Sequence, residues 1–553
     1  MLQSNDIPKR EKIALIGTCV VMLGLACIQC FAAAKDIHWF FDPDYYRDMS
    51  CVQQNLHGDF GKDPNYLGAW LWYNPLLTGI ETIIVRITGL PLNMIFAKAG
   101  VWLNLLSPIT FTLMLATLFN WRVAAAGLLS FLFLASGNHY TYVAATYSPW
   151  LYPGTFTQAI FYLNVIFCYK AFTTQRYSWF LALGAMLGVS FLGHTAPTVL
   201  IILIMAILQT GNLIKSLRGK DYSTSKRYVL QGLAAFLLFI LFSLPLTYFI
   251  VGKYELKFLN RIPFEYVDEL LIFRNLPALL RMNFTVALVI SVVGAIWFYR
   301  NNRQSITRKI FLAWPLLAIL LFVYSTAVSS LDRNYNIHLP GTVPAFHYFF
   351  YLKAAQSVFF GFGLVFLLDS LSRYVKALQP EPIRSRMIIL AILLYAIIYF
   401  PFYRNRQDFV FFRTQNLLQE KDTDKIATYN YILKNIPQDK VVLCEDSTSI
   451  FPVMATARKM VSNGITFSNP YLDFMQRENA RLSMLTYLKT GQPAVAKNLF
   501  DDYQVSYVLL SNAKFEKAAG LSDFDSRLVY KNGSYSLYLL EMAGTRNAGL
   551  SQR

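Results

Sequence analysis

The sequence has few charged residues for its 553 positions, and this scarcity excludes an ordinary soluble protein. Charged residues make up 15% of the chain, whereas a soluble globular protein carries about a quarter. Hydrophobic residues make up 55%, and the mean hydropathy is +0.38. The apolar residues gather in runs of roughly the 20 residues that cross a bilayer as a helix, so the sequence predicts an integral membrane protein.

Cysteine is also scarce, with six residues and no CxxC spacing of the kind that zinc and redox sites use. Cys51 and Cys444 alone lie outside apolar segments, so one disulfide between them is possible. The sequence has no Walker loop and no glycine-rich turn between a strand and a helix. Gly361-Phe362-Gly363 lies within an apolar run and is typical of helix packing. A nucleotide-binding domain is therefore not expected, and substrates would enter from outside or from the lipid.

The formal net charge of +18 does not indicate a nucleic-acid partner, because the basic residues form no single face. They lie in four clusters at the ends of apolar runs, as the positive-inside rule describes for cytoplasmic loops. The clusters consist of Lys9, Arg10 and Lys12; Lys215, Arg218, Lys220, Lys226 and Arg227; Arg300, Arg303, Arg308 and Lys309; and Arg373, Lys376, Arg384 and Arg386. A cytoplasmic N-terminus puts all four clusters inside.

Eleven apolar runs thread between these clusters, and we expect a polytopic α-helical membrane protein of about 11–13 transmembrane helices. The first run follows a basic start and is interpreted as an uncleaved span rather than a signal peptide. A further segment, 67–90, would place Glu81 and Arg86 at membrane depth as a span, so an interfacial amphipathic helix is favoured. The predicted spans are 11–34, 96–119, 122–137, 155–173, 177–193, 195–214, 228–251, 284–299, 310–330, 346–370 and 387–403.

This threading divides the chain into a transmembrane module, 1–403, and a soluble extracytoplasmic domain, 404–553. The module has a large first external loop at 35–95. With the N-terminus in the cytoplasm, that loop and the C-terminal domain share the periplasm, the extracellular space or the lumen of the endoplasmic reticulum.

The C-terminal domain has the patterns of a small α/β fold. Apolar strand-like runs alternate with a helical run, and one alternating segment turns at Asn532-Gly533, which predicts a β-hairpin. We predict strands within 440–446 and 505–511, a helix at 478–490, the hairpin at 527–541 and a disordered tail at 542–553.

Directly after the first span stands FDPDYYRD, 41–48, with three carboxylates, an arginine and two tyrosines at the membrane surface. Carboxylates here could act as a general base or bind a cation, and the arginine could pair with a phosphate. The structural alternative is a helix start with Asp42 as N-cap and Pro43 at the first helical position. That alternative does not explain Asp44 and Asp48, one turn apart on one face at a membrane boundary.

This segment and its position resemble the GT-C glycosyltransferase superfamily, which includes protein O-mannosyltransferases, lipid A aminoarabinose transferases and the catalytic subunit of oligosaccharyltransferases. FDPDYYRDM resembles the acidic motif of the first external loop in that superfamily. LWYNPLL, 71–77, looks like the "PPLLYWL" helix of the mannosyltransferase-like branch, and Lys98 falls where that branch has an arginine at the start of its second span. The resemblance implies transfer of a sugar from a polyprenyl-phosphate donor to a lipid, glycan or protein acceptor, with inversion, at the outer face of the membrane.

On this resemblance, Asp44 is the expected catalytic carboxylate and Asp42 the alternative. Arg47 could contact phosphate or pair with Asp44 on its own helix. Asp42 and Asp44 could share a divalent cation with another carboxylate, although most monosaccharide enzymes of this superfamily are thought not to need one. Asp63, in a glycine-rich part of the first loop, is expected to be a solvated loop residue.

Other external residues are candidates for substrate binding. His194, in FLGHTAPT, could contact phosphate or acceptor, or could cap a helix. A later external loop and the span after it carry Arg333, His338, His347 and Lys353. Many superfamily members have a proline and a basic residue here, where the span lines the cavity for the donor phosphate. Lys353, about two turns into that span, could bind this phosphate or could snorkel to the interface.

Two other functions fit the architecture. A transporter or flippase would show inverted repeats and broken spans with midplane charges, which the sequence does not have. A non-catalytic assembly protein of the same fold would not require Asp44.

Overall fold

The computed structural model describes residues 7–134, 147–260, 283–302, 305–337, 343–374, 381–492, 494–515 and 519–541, with positions 277, 281, 339 and 341. The chain divides into two compact units. Unit 1 consists of Met1–Ile37, Ala97–Leu244 and Phe264–Thr414, and unit 2 consists of His38–Phe96, Pro245–Pro263 and Gln415–Arg553. The disordered tail predicted at 542–553 lies outside the described residues.

Helices dominate the part of the chain that the structure describes. Two of them continue as single π-helical stretches, Ser130–Leu134 after α6 and Tyr248–Lys253 after α10. In chain order the helices are α1 (Lys9–Ala34), α2 (Pro43–Leu56), α3 (Leu76–Thr88), α4 (Leu92–Leu103), α5 (Leu106–Leu118), α6 (Trp121–Leu129), α7 (Pro153–Thr174), α8 (Tyr177–Gly193), α9 (Thr195–Arg218), α10 (Tyr222–Thr247), α11 (Val286–Asn301), α12 (Ile306–Tyr335), α13 (Phe346–Tyr374), α14 (Glu381–Arg404), α15 (Gln407–Gln419), α16 (Thr423–Asn435), α17 (Phe474–Thr490) and α18 (Asn498–Asp502).

Each of the eleven predicted spans coincides with a helix, which confirms a polytopic α-helical membrane protein. Among the described residues, six helices are long and apolar enough to cross a membrane: Lys9–Ala34, Leu92–Leu118, Thr195–Arg218, Tyr222–Lys253, Ile306–Asp332 and Phe346–Arg373. Four shorter apolar helices are Trp121–Leu134, Tyr177–Gly193, Val286–Asn301 and Arg386–Pro401. The number that cross the bilayer stays a prediction.

Helices of unit 1 approach one another backbone to backbone at glycines. A Cβ on Gly363 of α13 would collide with the carbonyl oxygen of Ile290 on α11. A Cβ on Gly361 would be 2.7 Å from the carbonyl oxygen of Val123 on α6. Small residues allow such contact in a membrane, where lipid supplies no hydrophobic drive for helices to associate. The prediction that this glycine pair serves helix packing is confirmed.

Unit 2 contains a five-stranded sheet with the strand order β2-β1-β3-β5-β4. Its strands are β1 (Val441–Cys444), β2 (Lys459–Met460), β3 (Val505–Ser511), β4 (Asp525–Lys531) and β5 (Tyr535–Glu541). β1 runs parallel to β2 and β3, while β5 runs antiparallel to β3 and β4. The predicted strands, hairpin and helix are confirmed, and β2 is an addition, because two residues carry no readable period.

The core of this domain lies between α17 and the sheet. Met484 and Leu488 of α17 are fully buried together with Leu443 of β1 and Val508 of β3. Both cysteines considered for a disulfide, Cys51 and Cys444, are free thiols.

The ambiguous segment 67–90 contains α3, a helix of 13 residues. Its length of roughly 20 Å is less than the roughly 30 Å of a hydrocarbon core, which favours an interfacial helix over a span. The helix buries Glu81 and exposes Ile83 and Ile87, at 57% and 79% of their surfaces. The helix therefore exposes apolar side chains and buries a carboxyl group, whereas a helix that faces water does the opposite. This amphipathicity supports the interfacial helix that the sequence predicts.

Candidate active site

The acidic motif of the first loop folds as the start of α2 in unit 2. Asp42 is the N-cap, because its side-chain oxygen accepts a hydrogen bond from the backbone N–H of Asp44 at 3.0 Å. Pro43 takes the first helical position. The cap satisfies one of the N–H groups that a helix start leaves without a partner. The capped start predicted for Asp42 is confirmed, and one of its carboxylate oxygens is engaged by it.

Arg47 connects the two remaining carboxylates of the motif. Its Nη1 donates to Asp44 Oδ1 at 2.8 Å, and its Nε donates to Asp48 Oδ1 at 2.8 Å. The ring of Tyr73 lies 3.8 Å from the guanidinium carbon. The side chain of Asp44 is 36% exposed, against 2% for Asp48. Of the two roles considered for Arg47, pairing with Asp44 on its own helix is therefore formed, and the pair leaves Asp44 accessible.

Two buried carboxyl groups lie behind this pair. Burial raises the pKa of Asp48 to about 6, and the cation of Arg47 opposes that shift. Glu81 on α3 is fully buried, and neither of its carboxyl oxygens has a hydrogen-bond partner among the described residues. Burial, and then the charge of Asp48, hold the pKa of Glu81 well above its ordinary value. Burial without a hydrogen-bond donor disfavours the charged form of this carboxyl group, so the surroundings of Glu81 favour its protonated form.

In unit 1, two histidines singled out from the sequence meet. His194 is the N-cap of α9, and its Nδ1 accepts from the N–H of Ala196 at 3.2 Å. His347 lies in the first turn of α13, with its Nδ1 3.1 Å from the carbonyl oxygen of Pro344. The ring centroids are 4.4 Å apart at an angle of 31°. At the start of α7, a Cβ on Gly154 would lie 3.4 Å from His347 Cδ2 and 3.8 Å from His194 Nε2.

The hydrogen bonds assign opposite tautomers to the two rings. A backbone N–H can only donate and a carbonyl can only accept, so neutral His194 carries its proton on Nε2 and neutral His347 on Nδ1. The Nε2 atom is therefore a donor in His194 and an acceptor in His347. Both rings lie where α7, α9 and α13 begin. Helix N-termini favour negative charge. The cap predicted for His194 is confirmed.

Lys353 lies two turns into α13, and only 5% of its surface is exposed. Its Nζ is 3.3 Å from Gln356 Oε1 and 5.6 Å from the ring centroid of Phe349. Among the described residues, no carboxylate lies within 4.0 Å of this ammonium, and Gln356 Nε2 is buried without a hydrogen-bond partner. Because the side chain is buried inside unit 1, the snorkelling alternative is not observed.

The remaining candidates are placed differently. Lys98 Nζ donates to the carbonyl oxygens of Ala34 and Lys35 at 2.5 Å each, so it caps the C-terminus of α1. The backbone of Arg333 belongs to α12. The side chain of Arg333 and the whole of His338 lie outside the described residues.

No metal centre is evident in the part of the chain that the structure describes: it contains no group of three His, Cys, Asp or Glu side chains placed to hold an ion. Asp42 and Asp44 each have one oxygen engaged, by a backbone N–H and by Arg47.

Comparison with solved structures shows that this chain shares the fold of ArnT and of an archaeal oligosaccharyltransferase. ArnT from Cupriavidus metallidurans bound to undecaprenyl phosphate has a TM-score of 0.54 at 13% identity, covering 96% of this chain and 98% of that chain. The apo state of the same protein has a TM-score of 0.53 at 14% identity, with coverage of 95% and 98%. The apo oligosaccharyltransferase of Archaeoglobus fulgidus has a TM-score of 0.51 at 12% identity, with coverage of 91% and 69%.

No protein-family model matches the sequence, and no curated protein matches it either. At identities of 12–14%, the structural likeness establishes the fold. The GT-C resemblance taken from the first-loop motif and the order of the elements is confirmed at that level.

Proposed function

We propose that this chain is an integral membrane glycosyltransferase that moves a sugar from a polyprenyl-phosphate donor to an acceptor at the outer face of the membrane. The observation that carries the proposal is the accessible carboxylate of Asp44, held by Arg47 on the first-loop helix of a GT-C fold. Undecaprenyl phosphate bound to ArnT of the same fold supports a lipid-phosphate donor. The basic clusters support a cytoplasmic N-terminus, with the first loop and residues 404–553 outside.

Asp44 acts as general base in this proposal. It accepts the proton of an acceptor hydroxyl while the oxygen of that hydroxyl bonds to the anomeric carbon of the sugar. The bond from that carbon to the phosphate oxygen breaks, and its electron pair leaves with the phosphate. A carboxylate that serves as base rather than as nucleophile leads to inversion. Asp42 is the weaker candidate because its oxygen holds the helix cap, and Arg47 orients Asp44 while Asp48 and Tyr73 hold Arg47 in place.

Lys353 is proposed to bind the phosphate of the donor. Among the described residues, the buried ammonium of Lys353 has one hydrogen-bond acceptor, the amide oxygen of Gln356. The amide nitrogen of Gln356 is buried there without an acceptor. Together these donors favour an oxyanion as ligand. His194 and His347 are proposed to contact the phosphate or the acceptor. Roles in substrate binding for Lys98, Arg333 and His338 remain predictions.

The test compares Asp44→Asn with Asp42→Asn. Asparagine is as good an N-cap as aspartate, so the Asp42→Asn protein keeps its helix and serves as the matched control. Mass spectrometry of lipid that co-purifies with the wild-type protein should identify a polyprenyl-phosphate sugar. Turnover of that lipid should fall by about 10²-fold or more in Asp44→Asn, the usual contribution of a general base, and persist in Asp42→Asn. Unchanged turnover in both variants would remove the catalytic assignment.

A further inference from the structure

Trp70 of unit 2 is held rigidly by residues from a distant segment. The Tyr254 hydroxyl accepts from the N–H of Trp70 at 2.7 Å and donates to its carbonyl oxygen at 2.6 Å. Phe249 stacks on the indole, with the centroids 5.9 Å apart and the planes 19° apart. Gly61, at φ +91°, leaves room for this ring, because a Cβ there would collide with Phe249. The indole is therefore a fixed platform.

Two lysines lie against this indole. Lys62 Nζ is 3.8 Å from the ring centroid of Trp70, and Lys253 Nζ is 4.8 Å from it. Among the described residues, neither ammonium has a carboxylate within 4.0 Å. Lys257, in contrast, is paired with Glu255 at 2.5 Å. Two ammonium groups on one ring, with no carboxylate of the described part of the chain within 4.0 Å, produce a local positive potential.

The platform lies where a candidate membrane span ends. The span Tyr222–Lys253 has 32 residues, about 48 Å of helix, against about 40–45 Å for a bilayer with its head groups. Lys253 is therefore expected at head-group level. Next to it, Val251 and Leu256 expose 55% and 53% of their surfaces, and Phe60 exposes 54%. Ammonium groups beside exposed apolar side chains suit a ligand that has an anionic head and an apolar tail.

The positive-inside rule does not account for these lysines. Lys226 and Arg227 lie near the other end of the same span, and the rule explains basic residues at one end only. The rule therefore leaves the basic group at the opposite end without an explanation. An indole is common at this depth, where its ring can lie among head groups.

We propose that Lys62, Lys253 and Trp70 bind the phosphate of a lipid head group with net negative charge at the end of this span. The phosphate accepts from both ammonium groups, and the acyl chains lie along Val251 and Leu256. Free phosphate is also an anion but lacks the apolar part. The site goes beyond the proposed glycosyl transfer and does not depend on it.

Thermal unfolding and native mass spectrometry of the purified full-length protein in detergent test this site. Dioleoylphosphatidylglycerol should raise Tm and remain bound, whereas dioleoylphosphatidylcholine and inorganic phosphate should do neither. The double variant Lys62→Gln, Lys253→Gln should bind phosphatidylglycerol about 10- to 30-fold more weakly. Lys257→Gln, which removes a lysine already paired, should bind as the wild type does.

The double variant Lys62→Arg, Lys253→Arg keeps the charge and should restore binding. The glutamine and arginine variants are compared only if they have the same Tm in the absence of lipid. A difference in lipid binding between them is then not explained by altered folding. Equal stabilisation by phosphatidylcholine, equal stabilisation by inorganic phosphate, or full binding by the glutamine variant would each overturn the proposal.

Discussion

The imidazole rings of His194 and His347 lie 4.4 Å apart, although they begin two helices that are distant in the chain. Each histidine was a separate candidate in the sequence, and nothing local connects them. Their contact puts one donor and one acceptor nitrogen beside Gly154, where a third helix begins. The side chain of His194 can cap α9 and also bind a ligand, because Nδ1 accepts the hydrogen bond of the cap while Nε2 carries the proton.

His194→Asn separates these two roles. Asparagine can accept the hydrogen bond from Ala196, so Tm should stay near the wild-type value, while His194→Ala should lose about 1 kcal/mol of stability with the cap. If Nε2 contacts substrate, turnover of the co-purified donor should fall in both variants. Recovery of both Tm and turnover in His194→Asn would assign His194 to the cap alone.

Glu81→Gln should change the pH dependence of stability. The pKa of Glu81 in the folded protein is raised, so the folded state keeps a proton that the unfolded chain has released above the ordinary value of 4.5. Stability must then fall as pH rises through that window, by roughly 1 kcal/mol per pH unit. Glutamine has no proton to lose, so the Tm of the variant should rise relative to that of the wild type as the pH increases above 4.5.

The exposed Asp59 provides the control for this measurement. Asp59→Asn should follow the wild-type curve across the same pH range. Parallel curves for Glu81→Gln and the wild type would contradict a buried, protonated Glu81.

Transfer by the wild-type protein should decline as pH falls through about 6, where Asp48 takes up a proton. A protonated Asp48 loses the charge-assisted hydrogen bond from Arg47 and so loosens the hold of Arg47 on Asp44. Asp48→Asn should lower turnover at neutral pH and flatten the profile between pH 5 and 7. A variant profile with the same acid limb would show that another group controls it.

Lys353→Met should reduce the affinity for undecaprenyl phosphate by about 10-fold or more without lowering Tm, because it removes a buried charge and keeps the volume. Lys353→Arg should retain part of the affinity. Binding is measured by the Tm shift on titration with undecaprenyl phosphate. Lys309→Met, at an exposed lysine of α12, is the control and should bind normally. Normal binding by Lys353→Met would exclude the phosphate role.

Local patterns predicted the elements of this protein well. Spans follow from apolar runs of about 20 residues, the cap at Asp42 from Asp-Pro at a helix start, and the hairpin from Asn532-Gly533 between alternating strands. These signals depend on neighbours within a few positions. β2 was missed because a strand of two residues has no such pattern.

Asp63 shows where local reasoning failed. A glycine-rich surrounding predicted a solvated carboxylate, but Asp63 is 1% exposed. Its Oδ2 accepts from Asn469, and Lys459 donates to its carbonyl oxygen at 2.7 Å. Both partners come from the C-terminal domain, and no pattern within the first loop contains them. The prediction was wrong because burial depends on contacts between segments about 400 residues apart.

The amino-acid sequence alone determined the class of this protein, the positions of its helices and strands, and the carboxylates worth testing. Those properties depend on hydrophobic period, charge at span ends and capping chemistry, which neighbouring residues express directly. Only the tertiary structure decided which of these side chains are engaged in hydrogen bonds and ion pairs and which remain accessible. It engaged Asp42 in a cap and paired Asp44 with Arg47. It buried Glu81 with no hydrogen-bond partner in the described part of the chain, and it brought His194 against His347. Burial and pairing arise from packing distant segments together, and packing sets both the exposure of a group and its charge.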